Sequence, residues 1–382
     1  MCHEYSMNSP TTQFFDVAIV GAGPAGSAAA LAAAQHGARV LLVDRAEFPR
    51  TKVCGSCLAE SGVETLRNLH AAGVLTNAIP LRSVHVSCGD RHSKIARTAG
   101  VSIGREELDA ALLNEVRNAG VTVALATRAR MQQDRVLTLA GVELHGAVRA
   151  RTTIIADGLS GNTLDDLTEF SWRIAQRSFM GFGAIVPARS VACLSHEIRM
   201  RVSTHGYIGA VELPSGEIDI AAAVDPQALR MASGVSQCAL QMLGEDTLDR
   251  AALVAARWRG TPLLTRRRAR VAANGVLVVG DAAGYVEPFT GEGMTWALVT
   301  GALAGTLAAT HPSPHRVWPQ LYNARMRWPR LRCVLFAKTL RAPRLVRTVL
   351  CLSDMLPTPF AFLTHTVGRM STAQQRYRRW AL

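Results

Sequence analysis

The stretch that decides the fold runs Asp16-Val-Ala-Ile-Val-Gly21-Ala-Gly23-Pro-Ala-Gly26. Its apolar half predicts a buried strand, and an alanine-rich helix is expected over 27–36. Gly21 permits a tight turn, Gly23 lets the backbone approach a pyrophosphate, and Gly26 lets the helix sit close to the strand. Because a helix N-terminus presents free amides to phosphate, the stretch predicts a dinucleotide site formed by Gly21, Gly23, Pro24, Ala25 and Gly26.

A second strand is expected over 38–44, and it ends in an acid. Asp44 lies 23 residues after Gly21, where a carboxylate accepts hydrogen bonds from ribose hydroxyls and disfavours the extra phosphate of NADP. Arg45 follows it and belongs to the predicted site. NAD and FAD use the same strand–helix–strand unit, so this part of the sequence does not choose between them.

A later glycine-rich segment makes that choice. Residues 275–284 read Gly-Val-Leu-Val-Val-Gly-Asp-Ala-Ala-Gly, and 288–294 read Pro-Phe-Thr-Gly-Glu-Gly-Met before a helix expected over 295–310. Asp281, at the end of a strand, can hydrogen-bond a ribityl chain, and the helix amides can face the pyrimidine edge of a flavin. The predicted contacts are Gly280, Asp281, Pro288, Gly291, Glu292, Gly293 and Met294.

These segments resemble the second FAD motif of the para-hydroxybenzoate hydroxylase superfamily, especially its geranylgeranyl-reductase-like branch. Residues 48–55, Phe-Pro-Arg-Thr-Lys-Val-Cys-Gly, resemble the branch's FPRxKxCG loop, which passes near the isoalloxazine ring. The resemblance implies that Lys52, Cys54 and Gly55 of this loop contact the cofactor and that Arg105, at the start of a helix, reaches the FAD phosphates. The strand after that helix is expected to end near Arg128 and Ala129, and the resemblance places Ala129 beside the adenine. It also assigns Asp157, in a DG motif, to contact with FAD and NAD(P)H.

The resemblance implies an α/β fold with a discontinuous Rossmann-type FAD-binding domain, GR2/PHBH-like, built from 14–80, 100–165 and 265–312. A substrate domain with a β-sheet is expected to be inserted, from 81–99 and 166–264. Alternating stretches such as 217–224 fit strands of that sheet. The remaining residues, 313–382, are expected to form a basic C-terminal helical segment.

The net charge of +13 is unevenly placed. From His315 onward the chain has thirteen Lys and Arg residues against one acid, Asp354. None of the usual nucleic-acid-binding modules is visible, so we expect no nucleic-acid partner. Basic residues interleaved with Leu, Val, Phe and Trp are typical of a helix that contacts a membrane surface or an acidic carrier protein, and equally of a solvated helical face.

The eight cysteines are scattered and do not form a disulfide framework. The sequence shows no signal pattern and no uninterrupted apolar run long enough to span a membrane. We therefore expect a cytoplasmic protein, which would be peripheral to the membrane if the basic segment contacts lipid. Cys54-Gly-Ser-Cys57 has the CxxC spacing of redox pairs, which leaves flavin disulfide oxidoreductase chemistry as an alternative. Because no second CxxC occurs, no metal site is expected.

The sequence leaves three further flavin reactions open. The whole-chain pattern is similar to bacterial flavoproteins of polyketide tailoring, which predicts a monooxygenase that hydroxylates a lipophilic aromatic or polyketide-derived substrate with FAD, NAD(P)H and O2. The first alternative is reduction of isoprenoid double bonds, although 206–214 lacks the tryptophan of the GYxWxFP pattern. A halogenase is less favoured, because Trp172 stands alone where WxWxIP is expected. The catalytic residues are unknown, and Tyr207, His205 and Tyr285 are the candidates for the pocket.

Overall fold

The computed structural model describes residues 13–96, 100–142, 144–193, 195–287 and 292–355. Two sheets lie on either side of one cavity in this part of the chain. The residues outside this description include 1–12, the 288–291 stretch of the flavin loop, and 356–382, the last part of the basic segment.

Buried apolar strands build the Rossmann-type sheet, in the order β19-β20-β11-β1-β2-β8, with β10 and then β9 attached antiparallel at β11. Strand β1 pairs in parallel with both β2 and β11, and parallel neighbours require a crossover connection, which a helix usually supplies. The strands are β1 Gln13–Val20, β2 Val40–Val43, β8 Thr122–Ala124, β9 Arg128–Met131, β10 Leu137–Ala140, β11 Gly146–Ile155, β19 Ala272–Ala273 and β20 Val276–Val278.

Two helices rich in small residues, α1 (Pro24–Gln35) and α7 (Gly293–Thr310), pack directly against each other. A Cβ built on Gly301 would lie 2.0 Å from the Ala25 carbonyl oxygen, and one on Gly305 would lie 2.2 Å from that of Ala29. Only glycine allows the two backbones to come this close. Helix α7 is long and apolar enough to cross a membrane by composition alone, but most of it is buried inside this domain, as expected of a core helix.

The second sheet, called the insert sheet here, has the order β17-β13-β16-β15-β14-β5-β6. One of its faces packs against helix α5 (Val235–Leu243) through buried residues such as Phe182, Ile208 and Leu243. The other face lines the cavity. Each strand falls within 81–99 or 166–264: β5 Ser83–Cys88, β6 Arg91–Ala96, β13 Met180–Val186, β14 Glu197–Ser203, β15 Gly206–Glu212, β16 Ile218–Val224 and β17 Arg259–Leu263.

Smaller elements connect the two sheets. Two three-stranded sheets have the orders β12-β18-β21 and β3-β7-β4. Their strands are β3 Cys57–Leu58, β4 Ile79–Pro80, β7 Val101–Ser102, β12 Trp172–Ile174, β18 Arg266–Arg268 and β21 Gly284–Tyr285, and the other helices of this region are α2 Glu60–Asn68, α3 Arg105–Asn118, α4 Pro226–Met231, α5 Val235–Leu243 and α6 Arg250–Ala255.

The C-terminal segment forms helices α8 (Pro314–Leu340) and α9 (Pro343–Met355). At the start of α8, the Trp318 ring is fully buried in the Rossmann-type core, and its Nε1 donates to the Val278 carbonyl at 3.1 Å. At the other end, Leu340 and Val346 join the apolar cluster on the cavity face of the insert sheet. The described part of the basic segment, 313–355, is therefore part of the folded body and contacts both sheets.

Two boundaries differ from the sequence-based expectation. Helix α1 begins at Pro24 and not at residue 27, because proline is well suited to the first turn of a helix. The strand after α3 ends at Ala124, whereas an end near Arg128 and Ala129 was expected. The chain turns at Ala126, which has a φ of +48°, and residues 128–131 then start the antiparallel pair β9–β10.

Candidate functional site

A cavity of about 790 Å³ runs from the glycine turn after β1 to the inner face of the insert sheet. This volume lies in the range of about 300–1,000 Å³ that is usual for small-molecule sites. Seventeen residues proposed from the sequence line it: Gly21, Gly23, Pro24, Ala25, Asp44, Arg45, Lys52, Cys54, Gly55, Arg105, Ala129, Asp157, Tyr207, Asp281, Tyr285, Gly293 and Met294.

The turn between β1 and α1 is shaped by its glycines. Gly21 has a φ of +104°, and a Cβ there would lie 2.4 Å from the Ala156 carbonyl oxygen of the neighbouring strand. A Cβ on Gly26 would lie 1.7 Å from the Gly21 carbonyl oxygen, so Gly26 serves helix packing and does not line the cavity. No side chain caps the N-terminus of α1, which leaves its amides available to an anionic ligand.

Two arginine side chains lie next to this turn. A Cβ built on Gly23 would lie 3.4 Å from an Arg50 guanidinium nitrogen and 3.5 Å from one of Arg105. Arg105 is held by a bidentate pair with buried Asp109, at 3.0 and 2.7 Å, and Arg50 lies 3.6 Å from the same carboxyl group. The arrangement presents two fixed cations beside an uncapped helix terminus, which suits a pyrophosphate.

Asp44 directly follows β2 and is buried at one end of the cavity. Its carboxylate accepts from the backbone amides of Ala22 at 2.7 Å and Ala46 at 2.9 Å, and an Arg50 nitrogen lies 3.3 Å away. These bonds orient the carboxylate toward the cavity, where ribose hydroxyls can donate to it. Arg45 is exposed at the rim.

Three half-buried titratable groups line the middle of the cavity. Burial lowers the pKa of Lys52, with Arg50 and Arg105 acting in the same direction. Burial raises the pKa of Asp281 to about 6, although Arg105 and Lys52 partly offset it. Burial also raises the pKa of Asp157, whose Oδ2 accepts from the Thr163 amide at 3.1 Å.

The N-terminus of α7 is the second helix terminus at the cavity. Gly293 and Met294 line it, and Glu292, the N-cap residue, is buried outside the lining. Gly280 also lies outside the lining, which corrects its assignment as a direct contact. With a φ of +55°, Gly280 sits where a Cβ would lie 2.9 Å from the Ala25 Cβ, so its role is close packing. Pro288 and Gly291 are outside the described residues.

The insert sheet forms the opposite wall, which is mostly apolar. Alternate residues of β14, β15 and β16 face the cavity, including Met200, Val211 and Ala221. One acid interrupts this surface, because the Asp219 carboxyl group lines the cavity and accepts a hydrogen bond from the buried Ser56 hydroxyl. Neither residue was selected from the sequence, although an acid among small apolar residues on one face of a strand is a usable signal.

The candidate pocket residues separate into two groups. Tyr207 and Tyr285 both line the cavity, and burial raises the pKa of each well above 10, with Glu287 adding to the effect at Tyr207 and Asp281 at Tyr285. Each phenol therefore stays protonated at neutral pH and can donate a hydrogen bond but cannot act as a base. His205 is placed differently from the expectation: it is exposed in the turn between β14 and β15 and does not line the cavity.

The Cys54–Cys57 pair has little of the character of a redox dithiol. Neither cysteine is in a disulfide, and both line the cavity. Burial raises the pKa of Cys54 to about 11, with Arg105 opposing the shift, so the thiol and not the reactive thiolate prevails near neutral pH. Among the described residues, no group of His, Cys, Asp and Glu side chains is suited to hold a metal ion.

The described residues fit FAD. Two buried polar atoms at the cavity, Arg50 Nε and Asp157 Oδ1, have no partner within the described protein and can be satisfied by a bound dinucleotide. Arg50, Arg105 and the α1 amides would hold the pyrophosphate, Asp44 a ribose, and Asp281 the ribityl chain. The isoalloxazine ring would supply two-electron chemistry between the Cys54 loop, the α7 terminus and the insert sheet.

Comparison with known proteins agrees with this cavity. The family model described as "FAD binding domain" matches residues 15–309. Over 325 residues, the chain is 30% identical to "Digeranylgeranylglycerophospholipid reductase 1" of Methanopyrus kandleri, covering 77% of this chain and 80% of that protein. It is also 28% identical over 314 residues to "Menaquinone reductase" of Mycolicibacterium smegmatis, covering 76% of each chain.

The fold has been seen before in solved structures. The flavin-dependent brominase Bmp2 superposes with a TM-score of 0.78 at 15% identity, and the match covers 96% of this chain and 100% of that one. At such low identity the likeness concerns the fold alone. It confirms the predicted α/β architecture. The chain therefore belongs to the FAD binding domain family, as a para-hydroxybenzoate hydroxylase-like flavoprotein and FAD-dependent oxidoreductase.

Proposed function

We propose that the protein is an FAD-dependent reductase that saturates a carbon–carbon double bond in a polyprenyl lipid. The observation that carries the proposal is the apolar wall of the insert sheet, which continues directly into the FAD site as one cavity. The names of the two curated relatives, both reductases, support the same chemistry. NAD(P)H is the proposed source of electrons.

The protein's own residues supply binding, orientation and a dry environment. Arg50 and Arg105 hold the cofactor, and Met200, Val211 and Leu264 provide an apolar surface for a lipid chain. Leu340 and Val346 of the C-terminal helices pack into the same apolar cluster and shield this side of the cavity from water. Excluding water protects the reduced cofactor from side reactions.

Hydroxylation of a lipophilic aromatic or polyketide-derived substrate with O2 is the second candidate, and one observation favours it. Gly209 stands where the isoprenoid-reductase pattern has its tryptophan, and it lines the cavity at the centre of the sheet. A Cβ at position 209 would lie 2.5 Å from Met200 Sδ, so the Met200 side chain occupies the space that a larger residue would need. The cavity surface proposed to contact the substrate therefore differs from the one that the isoprenoid-reductase pattern predicts.

Product mass separates the two reactions. The holoprotein is incubated with NADH or NADPH and either menaquinone-4 or an alkylated resorcinol, in air and under nitrogen. We expect menaquinone-4 to gain two hydrogens in its prenyl side chain with or without oxygen, a mass change that remains after any quinol is reoxidised to the quinone. A phenolic product heavier by one oxygen atom, formed only in air, would replace the reductase proposal with the hydroxylase.

A membrane surface is the proposed source of such a substrate. Trp328, Leu331 and Leu335 form an exposed apolar stripe along α8, with 59%, 45% and 56% of each residue accessible. Exposed cations, including Arg327 and Lys338, lie beside it. A helix face that combines apolar and basic residues is suited to anionic lipid, and this argument favours the membrane over an acidic carrier protein.

A further inference from the structure

The Asp219 carboxyl group lines the cavity and is not among the residues assigned to the cofactor. It lies on β16, paired across the sheet with Val211 of β15, which is paired in turn with Ile198 of β14. Ala221 and Ala223 follow it on the same face. A carboxyl group in such a row has lost most of its hydration, which is costly unless the group is neutral or paired.

Its one described hydrogen-bond donor is Ser56, which belongs to the Cys54–Cys57 loop. Ser56 is 2% exposed, has a φ of +47°, and its carbonyl oxygen accepts from the Ile103 amide at 2.9 Å. The hydroxyl is therefore fixed in position. Its hydrogen bond connects the Cys54–Cys57 loop, which borders the FAD site, to the insert sheet, which forms the opposite wall of the cavity.

No lysine, arginine or histidine described here lies within ion-pairing distance of Asp219. The titratable group that interacts with it is the Cys54 thiol, which also interacts with Arg105. Burial raises the pKa of Asp219 to about 7, and the Ser56 hydroxyl opposes the shift. Near neutral pH the carboxyl group thus exchanges its proton readily, as a general acid must.

We propose that Asp219 is the proton donor of the reduction, with Ser56 as its positioning residue. This proposal rests on the proposed function. One carbon of the double bond accepts a hydride from reduced FAD, and the other forms a C–H bond with the proton of the Asp219 carboxyl group as its O–H bond breaks. The carboxylate that results keeps the Ser56 hydrogen bond and recovers a proton from solvent, and NAD(P)H restores the two electrons.

The test uses the holoprotein reduced with dithionite under nitrogen and mixed with menaquinone-4. Asp219→Asn keeps the shape of the side chain but removes the acid, and Glu217→Gln, exposed at the start of the same stretch, is the matched control. We expect Asp219→Asn to slow formation of the product with a saturated side chain at least 100-fold. Glu217→Gln should behave as wild type.

A second readout does not depend on turnover. The infrared carbonyl band of a protonated carboxyl group should titrate near pH 7 in wild type, disappear in Asp219→Asn, and titrate at higher pH in Ser56→Ala. Wild-type reduction that persists in Asp219→Asn, or a band unchanged by that substitution, would overturn the donor role while leaving the reductase function intact. If wild type forms no saturated product at all, the proposed function fails and the donor role with it, whatever the band shows.

Discussion

Arg341, the residue after α8, donates from one guanidinium nitrogen to both carboxylate oxygens of Glu287, at 2.9 and 3.2 Å. Glu287 is completely buried and also accepts from the Phe179 amide and the Thr265 hydroxyl. It immediately precedes 288–291, which lead to the α7 terminus at the cavity. The pair therefore connects the C-terminal helices to the cofactor side of the cavity.

Arg341→Met should lower the free energy of unfolding by about 3 kcal/mol, because it leaves the buried Glu287 carboxylate without its cation. Arg347→Met is the control, since Arg347 pairs with Asp90 at 2.8 Å on the surface, where such pairs contribute about 0–1 kcal/mol. Urea unfolding of both variants measures the difference. Equal losses would show that the C-terminal helices are held without this ion pair.

Arg50→Gln should weaken FAD binding about 10- to 100-fold, because one cation beside Gly23 is lost. Asp109 stays paired with Arg105 in this variant, so the fold should be maintained. Fluorescence titration of the apoprotein with FAD gives the dissociation constant. Arg130→Gln, which breaks an exposed pair with Asp166, should bind FAD as wild type does, and an equal loss there would argue against a specific phosphate site.

Gly301→Ala should destabilise the protein by more than about 2 kcal/mol, because its Cβ cannot coexist with the Ala25 carbonyl oxygen at 2.0 Å. Gly73→Ala is matched to it, since a Cβ there meets nothing within 4 Å. Thermal unfolding monitored by circular dichroism compares the two. A Gly301→Ala protein as stable as Gly73→Ala would mean that α1 and α7 are farther apart than described.

Asp219 should make stability depend on pH. Between its ordinary pKa of 3.8 and its folded-state pKa of about 7, the folded protein keeps a proton that the unfolded chain has lost. Stability therefore falls as pH rises through this window, by roughly 1.4 kcal/mol per pKa unit at most. Asp219→Asn should gain stability over wild type between about pH 5 and pH 8 in urea unfolding, whereas Glu217→Gln should show a constant difference.

Replacing Leu331 and Leu335 with serine should reduce sedimentation with phosphatidylglycerol vesicles several-fold, because the α8 stripe loses apolar area. Met231→Ser removes another exposed apolar side chain, 81% accessible and far from α8 in sequence, and should leave sedimentation unchanged. Binding to neutral phosphatidylcholine should be weak for every protein. Sedimentation unaffected by the double substitution would rule out the stripe as the membrane contact.

The sequence by itself determined the cofactor half of the protein. Gly21, Gly23 and Asp44 act through backbone conformation and a short strand–turn–helix unit, so their spacing along the chain already specifies their geometry. Asp281 could be assigned for a related reason, because it stands at the end of a strand, where the backbone decides the direction of the side chain. Arg105 follows only from the resemblance to the family.

Only the tertiary structure decided the substrate half. Ser56 and Asp219 are 163 residues apart, and their hydrogen bond exists because the Cys54 loop packs against β16. His205 and Tyr207 are near neighbours in sequence, yet the turn exposes the first and the strand buries the second. Burial raises the pKa of Asp219 and Tyr207, and burial does not follow from local spacing, since it depends on which segments pack together.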